Sequence, residues 1–347
     1  MSHPKLITVV GGGLAGLTLG IALRLEGIPV VIWEAGDYPR HRVCGEFISG
    51  RAEETLARLG LLSLLREAGG RPAITSAFYA SKRRFFHEVL PRQALCLSRY
   101  VLDALLARKF RELGGELRTE SRWREGSFEE GTVRASGRRV QTREGAWRRF
   151  GLKAHAQGVN LEADLEMHFL ENAYVGLCRI SDVEVNVCGL FRAGAQRSER
   201  TAPLEWKDRL RGDPGTLLFT RLEKAEWIES SFCSVAGLSL QGRLAEGEFA
   251  IGDALAMTPP VTGNGMSMAF ESAELALGPL KEFSLGRLSW NDAKARALRE
   301  FKETFSRRLW RATWLERGIF QRGIRTMLFP VAARSTLFWK LFFQGTR

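Results

Sequence analysis

Three glycines and one acid carry the clearest chemistry in the chain. Gly11-Gly-Gly13-Leu14-Ala15-Gly16 follows the short β-rich run Lys5 to Val10, and an apolar helical stretch follows it. Gly11 makes a tight turn, Gly13 lets the backbone approach a pyrophosphate, and Gly16 lets helix and strand pack closely. The pyrophosphate would sit at the helix N-terminus, where unpaired N–H groups and the helix dipole favour an anion. A second apolar run, Ile28 to Trp33, ends at Glu34 and Ala35. Glu34 would accept hydrogen bonds from an adenosine ribose. Strand, GxGxxG, helix, strand and acid in this order predict a dinucleotide site. Gly20 extends the motif to GxGxxGxxxG and leans it toward FAD.

A second glycine-bearing turn lies far along the chain. The brief strand Gly247 to Ile251 leads into Gly252-Asp253, then Pro260-Val-Thr-Gly263-Asn264-Gly265-Met266, and an apolar helix from Ser267 to Leu277. This turn also delivers backbone N–H groups at a helix start. Cysteines 44, 96, 178, 188 and 233 form no CxxC pair, so neither a disulfide framework nor a zinc ribbon is indicated. Reduced thiols in the cytoplasm are the expectation. The five histidines show no ligand spacing and no metal is expected. His41, between Arg40 and Arg42, is expected on a solvated loop. His155 reads either as a polar group facing substrate or as a hydrogen-bonded residue at a domain seam.

The elements around these motifs follow from periodicity. The chain has 347 residues, 45% hydrophobic and 26% charged, enough for one large or two ordinary domains and unlike a disordered chain. Arg51 to Leu65 and Leu97 to Leu113 read as helices, and Ala77 to Leu90 as strand. From Leu161 to Phe169 and from Val183 to Val187, apolar residues alternate with Glu162, Asp164, Glu166, His168, Glu184 and Asn186. That period predicts an antiparallel sheet with one wet face. No run is long and apolar enough for a spanning helix, and no cationic lead or cleavage site marks a signal peptide. Of the net charge of +12, +8 falls in residues 306 to 347. No nucleic-acid motif accompanies it, so nucleic acid is not an expected partner. That segment reads as helices capping a substrate domain, or as a basic amphipathic surface at the inner face of a membrane.

Gly11 to Gly16 with Glu34, Arg42-Val-Cys44-Gly45-Glu46, Ser98-Arg99, Ala135-Ser-Gly-Arg138 and Gly252-Asp253 occur in a telling order. Together they resemble the FAD-dependent oxidoreductases of the para-hydroxybenzoate-hydroxylase-like superfamily over most of residues 5 to 285. The resemblance implies an α/β fold: a Rossmann-type FAD-binding domain, an inserted antiparallel or mixed β-sheet substrate domain and a helical C-terminus. Its parts would be residues 1–75, 98–150 and 246–285 for FAD, 76–97 and 151–245 for the substrate sheet, and 286–347 for the basic helical segment. It implies that Arg99 reaches the cofactor and Asp253 the ribityl chain. Pro260, Gly263, Asn264, Gly265 and Met266 would lie along the flavin. Arg42, Cys44 and Gly45 resemble the Cys-Gly-Gly element beside the flavin of geranylgeranyl reductases, with Glu46 replacing the second glycine. Cys44, Glu46 and His155 are the candidate catalytic side chains.

The implied activity is a flavin monooxygenase. Reduced flavin and O2 would give a peroxyflavin that hydroxylates a hydrophobic, aromatic or polyketide-like molecule. The Asp-Gly pair of many NAD(P)H-using hydroxylases is missing, with Phe150 to His155 the nearest stretch, so the donor is NAD(P)H or a separate reductase. Trp310 and Trp314 are four apart, unlike the halogenase Trp-x-Trp-x-Ile-Pro motif, which argues against halogenation. The alternatives are a flavin reductase of carbon–carbon double bonds and a membrane-surface flavoprotein electron carrier.

Overall fold

A computed structural model describes residues 3–80, 83–124, 128–138, 147–194, 205–238 and 247–321. In chain order the elements are β1 (Ile7–Val10), α1 (Leu14–Leu25), β2 (Val30–Trp33), β3 (Phe47–Ile48), α2 (Ala52–Arg58), α3 (Leu62–Glu67), β4 (Arg71–Ala80) and β5 (Arg83–Cys96). Next come α4 (Arg99–Glu112), β6 (Glu116–Arg118), β7 (Thr132–Arg134), β8 (Trp147–Gln157), β9 (Leu165–Phe169), β10 (Ala173–Arg179) and β11 (Glu184–Gly194). The chain continues with α5 (Trp206–Arg211), α6 (Leu217–Leu222), β12 (Glu226–Ala236), α7 (Gly265–Ser284) and α8 (Trp290–Phe320).

Two sheets organise the molecule. The first has the order β6-β2-β1-β7, every pairing parallel, and Ala250 adds a parallel bridge to Arg134 at its edge. Such a sheet needs cover on both faces, and α1, α4 and α7 supply it. Most of α1 is buried, from Leu14 to Leu23. Gly20 earns its place here, because a side chain would strike Ile32 and Phe110. The second sheet has the order β12-β8-β11-β10-β9-β4-β5-β3. It is antiparallel except where β4 runs parallel to β9. The chain enters it twice, through β3–β5 and through β8–β12, and returns each time to the parallel sheet.

Three expectations need correction. The helix foreseen over Arg51 to Leu65 is two, α2 and α3, because Gly60 takes φ +66° and ends the first. The stretch Ala77 to Leu90 is not one strand but the end of β4 and the start of β5. The strands β9 and β11 also do not present the wet face that their alternation suggested. Glu166 and His168 are buried, with Glu166 bonded to His168 and to Arg221 of α6. Asn186 is buried on the opposite face, where its amide donates to the Cys44 carbonyl. One face packs Leu152, Ala154, Val175, Val185 and Val187 under Leu210, Leu218 and Leu222 of α5 and α6. The other face turns to the nucleotide-binding half and to α8. Polar residues on these strands therefore pair with other protein groups rather than water.

Candidate functional site: a glycine cradle against a buried charge network

The five sequence elements meet in space. A side chain at Gly11, which has φ +114°, would run into the Ala135 backbone, and one at Gly16 would run into the Gly11 carbonyl. A Cβ on Gly252 would come within 2.8 Å of Ala15, and one on Gly263, in the left-handed region at φ +63°, would strike the Phe47 ring. Gly13 and Gly265 differ from these. A Cβ at either would meet nothing within 4 Å, and each stands at the start of a long helix, α1 and α7. Two helix N-termini with open space before a glycine suit the phosphates and electron-rich ring edge of a dinucleotide. The residues present thus fit FAD.

Glu34 ends β2 and is buried. Its carboxylate accepts from Gly12 N–H at 2.8 Å, Gly36 N–H at 2.9 Å and Arg40 at 2.6 Å. Burial pushes its pKa up. Arg40, the Gly36 N–H and Arg42 outweigh that and hold it below the usual carboxylate range. A carboxylate offers about four acceptor sites, so capacity remains for a ribose hydroxyl. Ala35 beside it is exposed. Arg99 makes a bidentate pair with fully buried Asp103, at 2.7 and 2.8 Å, and Arg42 approaches Asp103 at 3.4 Å. Burial opposes charge on Arg99, and Asp103 more than restores it. Asp253 is exposed on its 3-10 turn, with Arg138 and Arg99 the cations acting on it. Leu14, Ala15, Asn264 and Met266 are buried, while Pro260, Gly263 and Gly265 are half-buried.

Beneath the segment Arg42 to Phe47 lies a buried charge network. Glu46 Oε2 stands 2.7 Å from His155 Nε2, and Glu46 Oε1 stands 3.2 Å from Lys153 Nζ. Oε1 also accepts from the Arg99 N–H at 3.0 Å. Lys153 and Glu46 are both fully buried, and Lys153 Nζ lies 3.0 Å from His41 Nδ1. Burial pushes the Glu46 carboxyl up. The His155 hydrogen bond and the charges of Lys153 and His155 outweigh that, so it stays ionised. His41 is pushed down to about 4, by burial first and then by Lys153, so it is a neutral acceptor for the ammonium. His41 is thus not on a solvated loop; its ring stacks on Tyr100 at 4.6 Å.

Glu46 adopts φ +59°. That conformation is free to glycine and costs other residues roughly 1 kcal/mol. It explains why the resembling element has a second glycine here. In this chain the carboxylate's bonds hold the strained backbone in place. Cys44 contributes little nucleophilic character, because burial pushes its thiol up against the influence of Arg99. Ligand atoms of His41, Glu46 and His155 lie within 4.8 Å of one another. The Lys153 ammonium, 3.0 Å from His41 Nδ1 and 3.2 Å from Glu46 Oε1, already balances the carboxylate's charge there.

The same face of the second sheet is apolar farther along. Phe169, Tyr174 and Leu190 pack with Ile319 and Phe320 of α8, and with Met257 and Val261 from the loop before α7. The end of α8 therefore covers this part of the sheet. Trp310 and Trp314 on its outer side are exposed, and residues 322–347 of the basic segment lie outside the described residues. No described helix is long and apolar enough to cross a membrane.

Sequence reasoning missed Lys153, Asp103 and the role of His41. The alternation Gly151-Leu-Lys153-Ala-His155 was a usable signal, since it places Lys153 and His155 on one face of β8.

Comparisons with known proteins agree with this geometry. Residues 5–151 match the FAD binding domain family. The chain is 31% identical over 115 residues to the rifampicin monooxygenase of Streptomyces venezuelae, covering 32% of this chain and 24% of that protein. It is 31% identical over 112 residues to the 1H-pyrrole-2-carbonyl-[peptidyl-carrier protein] brominase of Pseudoalteromonas luteoviolacea, covering 32% and 27%. The chain thus spans about a quarter of the length of these curated relatives. Among solved structures, P. aeruginosa PqsL in complex with 2-aminobenzoylacetate superposes with a TM-score of 0.71 at 17% identity, over 94% of this chain and 100% of that one. At that identity the likeness is one of fold. Residues 5–151 therefore match the FAD-binding domain family, and the chain as a whole shares the fold of PqsL.

Proposed function

We propose that the chain is an FAD-dependent monooxygenase that hydroxylates a hydrophobic aromatic or polyketide-like small molecule. The observation that carries this reading is the single sheet face that joins an apolar, aromatic floor to a buried charge network. Gly11, Gly13, Gly16 and Glu34 would hold the adenosine diphosphate half of FAD. Arg42, Gly45, Arg99, Asp253 and the Pro260–Met266 turn would hold the flavin half. Bound FAD supplies redox and O2 chemistry. The protein's part is to orient the substrate and exclude water. Phe169, Tyr174, Leu190 and Phe320, which pack together here, would line the apolar side of the substrate. Glu46, His155 and Lys153 fix the Arg42–Phe47 segment in place beside the cofactor.

Electrons reach the flavin from NAD(P)H or a partner reductase. A test that reduces the flavin photochemically needs neither. The loaded chain is given a panel of hydrophobic phenols and polyketides under 18O2, and products are read by mass. Gain of one labelled oxygen supports the reading. Gain of two hydrogens without O2 would replace it with a double-bond reductase, the reading favoured by Cys44-Gly45 beside the cofactor. Halogen incorporation with bromide present would replace it with a halogenase.

A further inference from the structure

Glu316 is 2% exposed, and among the described residues neither of its oxygens has a hydrogen-bond partner of good geometry, although the Tyr174 hydroxyl and the Val261 N–H stand near enough to act on it. It projects from the last turns of α8. The Tyr174 hydroxyl is also buried, with Glu316 its near neighbour and no hydrogen bond of good geometry among the described residues. Arg149, Tyr174 and the Val261 N–H are the polar groups that act on Glu316. Arg149 and Tyr174 lie on the sheet face that carries Lys153 and Cys178, because each is an even number of residues away along its strand. Around them are Leu315, Phe320 and Val261. A buried carboxyl without a well-formed hydrogen bond is costly, and a group that bonds both it and the neighbouring hydroxyl would relieve that cost.

We infer that Glu316 and Tyr174, with Arg149, form the hydrogen-bonding end of the small-molecule site and receive an acceptor oxygen, a carbonyl or phenolate, of an otherwise apolar aromatic ligand. This rests on the reading that the apolar sheet face is the substrate site. Burial pushes Glu316 up to about 8, against Arg149, the Val261 N–H and Tyr174. At neutral pH it is mainly protonated and donates. Tyr174 is raised well above its ordinary value and donates too. Three donors with no competing anion match an acceptor oxygen and no donor-only group.

The test is equilibrium dialysis of the FAD-loaded full chain with 2-acetylnaphthalene and 2-ethylnaphthalene, which share a shape and differ in one acceptor oxygen. Wild type should prefer the ketone roughly tenfold, the discrimination of one good hydrogen bond. Glu316→Leu should lose the preference while still binding 2-ethylnaphthalene. The isosteric Glu316→Gln, which keeps a donor, should retain part of it. In wild type the preference should fall as pH rises through about 8, and in Glu316→Gln it should stay flat. Arg149, Tyr174, Cys188 and Arg192 face this end from β8, β10 and β11. The guanidiniums stay charged there, and burial raises the Tyr174 and Cys188 values, so none of these groups changes charge near that pH. A wild type with no preference, or a preference that survives unchanged in Glu316→Leu, overturns the inference. A chain that binds the ketone selectively yet oxygenates nothing overturns the monooxygenase reading alone.

Discussion

Replacing Glu46 by glutamine isolates the buried charge network with almost no change of shape. The substitution removes the only carboxylate that pairs with Lys153 among the described residues; the ammonium is fully buried and stands 3.2 Å from Glu46 Oε1. His41 Nδ1 at 3.0 Å remains as a neutral acceptor, which does not balance the charge. Breaking one side of a buried pair costs about 3–5 kcal/mol. That is a large share of the roughly 5–15 kcal/mol that holds a domain together. At roughly 2 °C per kcal/mol for a large domain, Tm should fall by about 6–10 °C. The bonds that hold the strained φ +59° backbone of Glu46 also weaken, which adds to the loss. Thermal unfolding of wild type, Glu46→Gln, Lys153→Met and the double variant closes the cycle. Lys153→Met should cost less than Glu46→Gln, since Glu46 keeps His155 and the Arg99 N–H. The double variant should recover 1 kcal/mol or more relative to Glu46→Gln. A Glu46→Gln protein within about 1 kcal/mol of wild type, or a double variant with no recovery, would refute the reasoning. Because Glu46 is held below its ordinary value, its contribution is present above about pH 4.5 and lost as pH falls through the folded pKa. The acid limb of wild-type stability should therefore be steeper than that of Glu46→Gln.

Other changes separate cradle from scaffold. Gly13→Val has open space for its side chain, so it should fold normally and fail to hold FAD, as absorbance of the purified protein reports. Gly16→Ala collides with the Gly11 carbonyl and should lower stability by about 1–3 kcal/mol in a urea titration. Glu316 gives a basic limb of opposite sign. Its pKa rises from 4.5 to about 8 on folding, so stability should decline as pH climbs through that window. At about 1.4 kcal/mol per unit the loss amounts to several kcal/mol, and Glu316→Gln should lack it. Trp310 and Trp314 are 64% and 56% exposed, so serine at both should shift stability by only about 0.5 kcal/mol each.

What the sequence made legible was the chemistry held in short stretches. The cradle could be read because a pyrophosphate needs turn, helix start and acid within one βαβ unit, and Gly11 to Glu34 supplies all three. The second-sheet strands were legible as strands, yet their faces were not. Glu166 and His168 look solvated along the chain, and only the packing of Arg221 from α6 makes them core. The charge network is farther from reach. Lys153 and His41 are separated by 112 residues, so no local pattern joins them. The positive φ of Glu46 was visible only in outline, as a residue standing where a resembling element has glycine. Glu316 reads as a lone acid in a basic helix, and its burial depends on Tyr174 and Arg149, residues far away in the chain.

The most direct measurement is the flavin content of the purified chain, released by denaturation and quantified against protein, for wild type and Gly13→Val side by side. One FAD per wild-type chain, with little or none on a folded Gly13→Val, is the predicted result. A wild-type chain that takes up no FAD, or a Gly13→Val chain that holds it equally well, would contradict the placement of the cofactor on which the proposed activity depends.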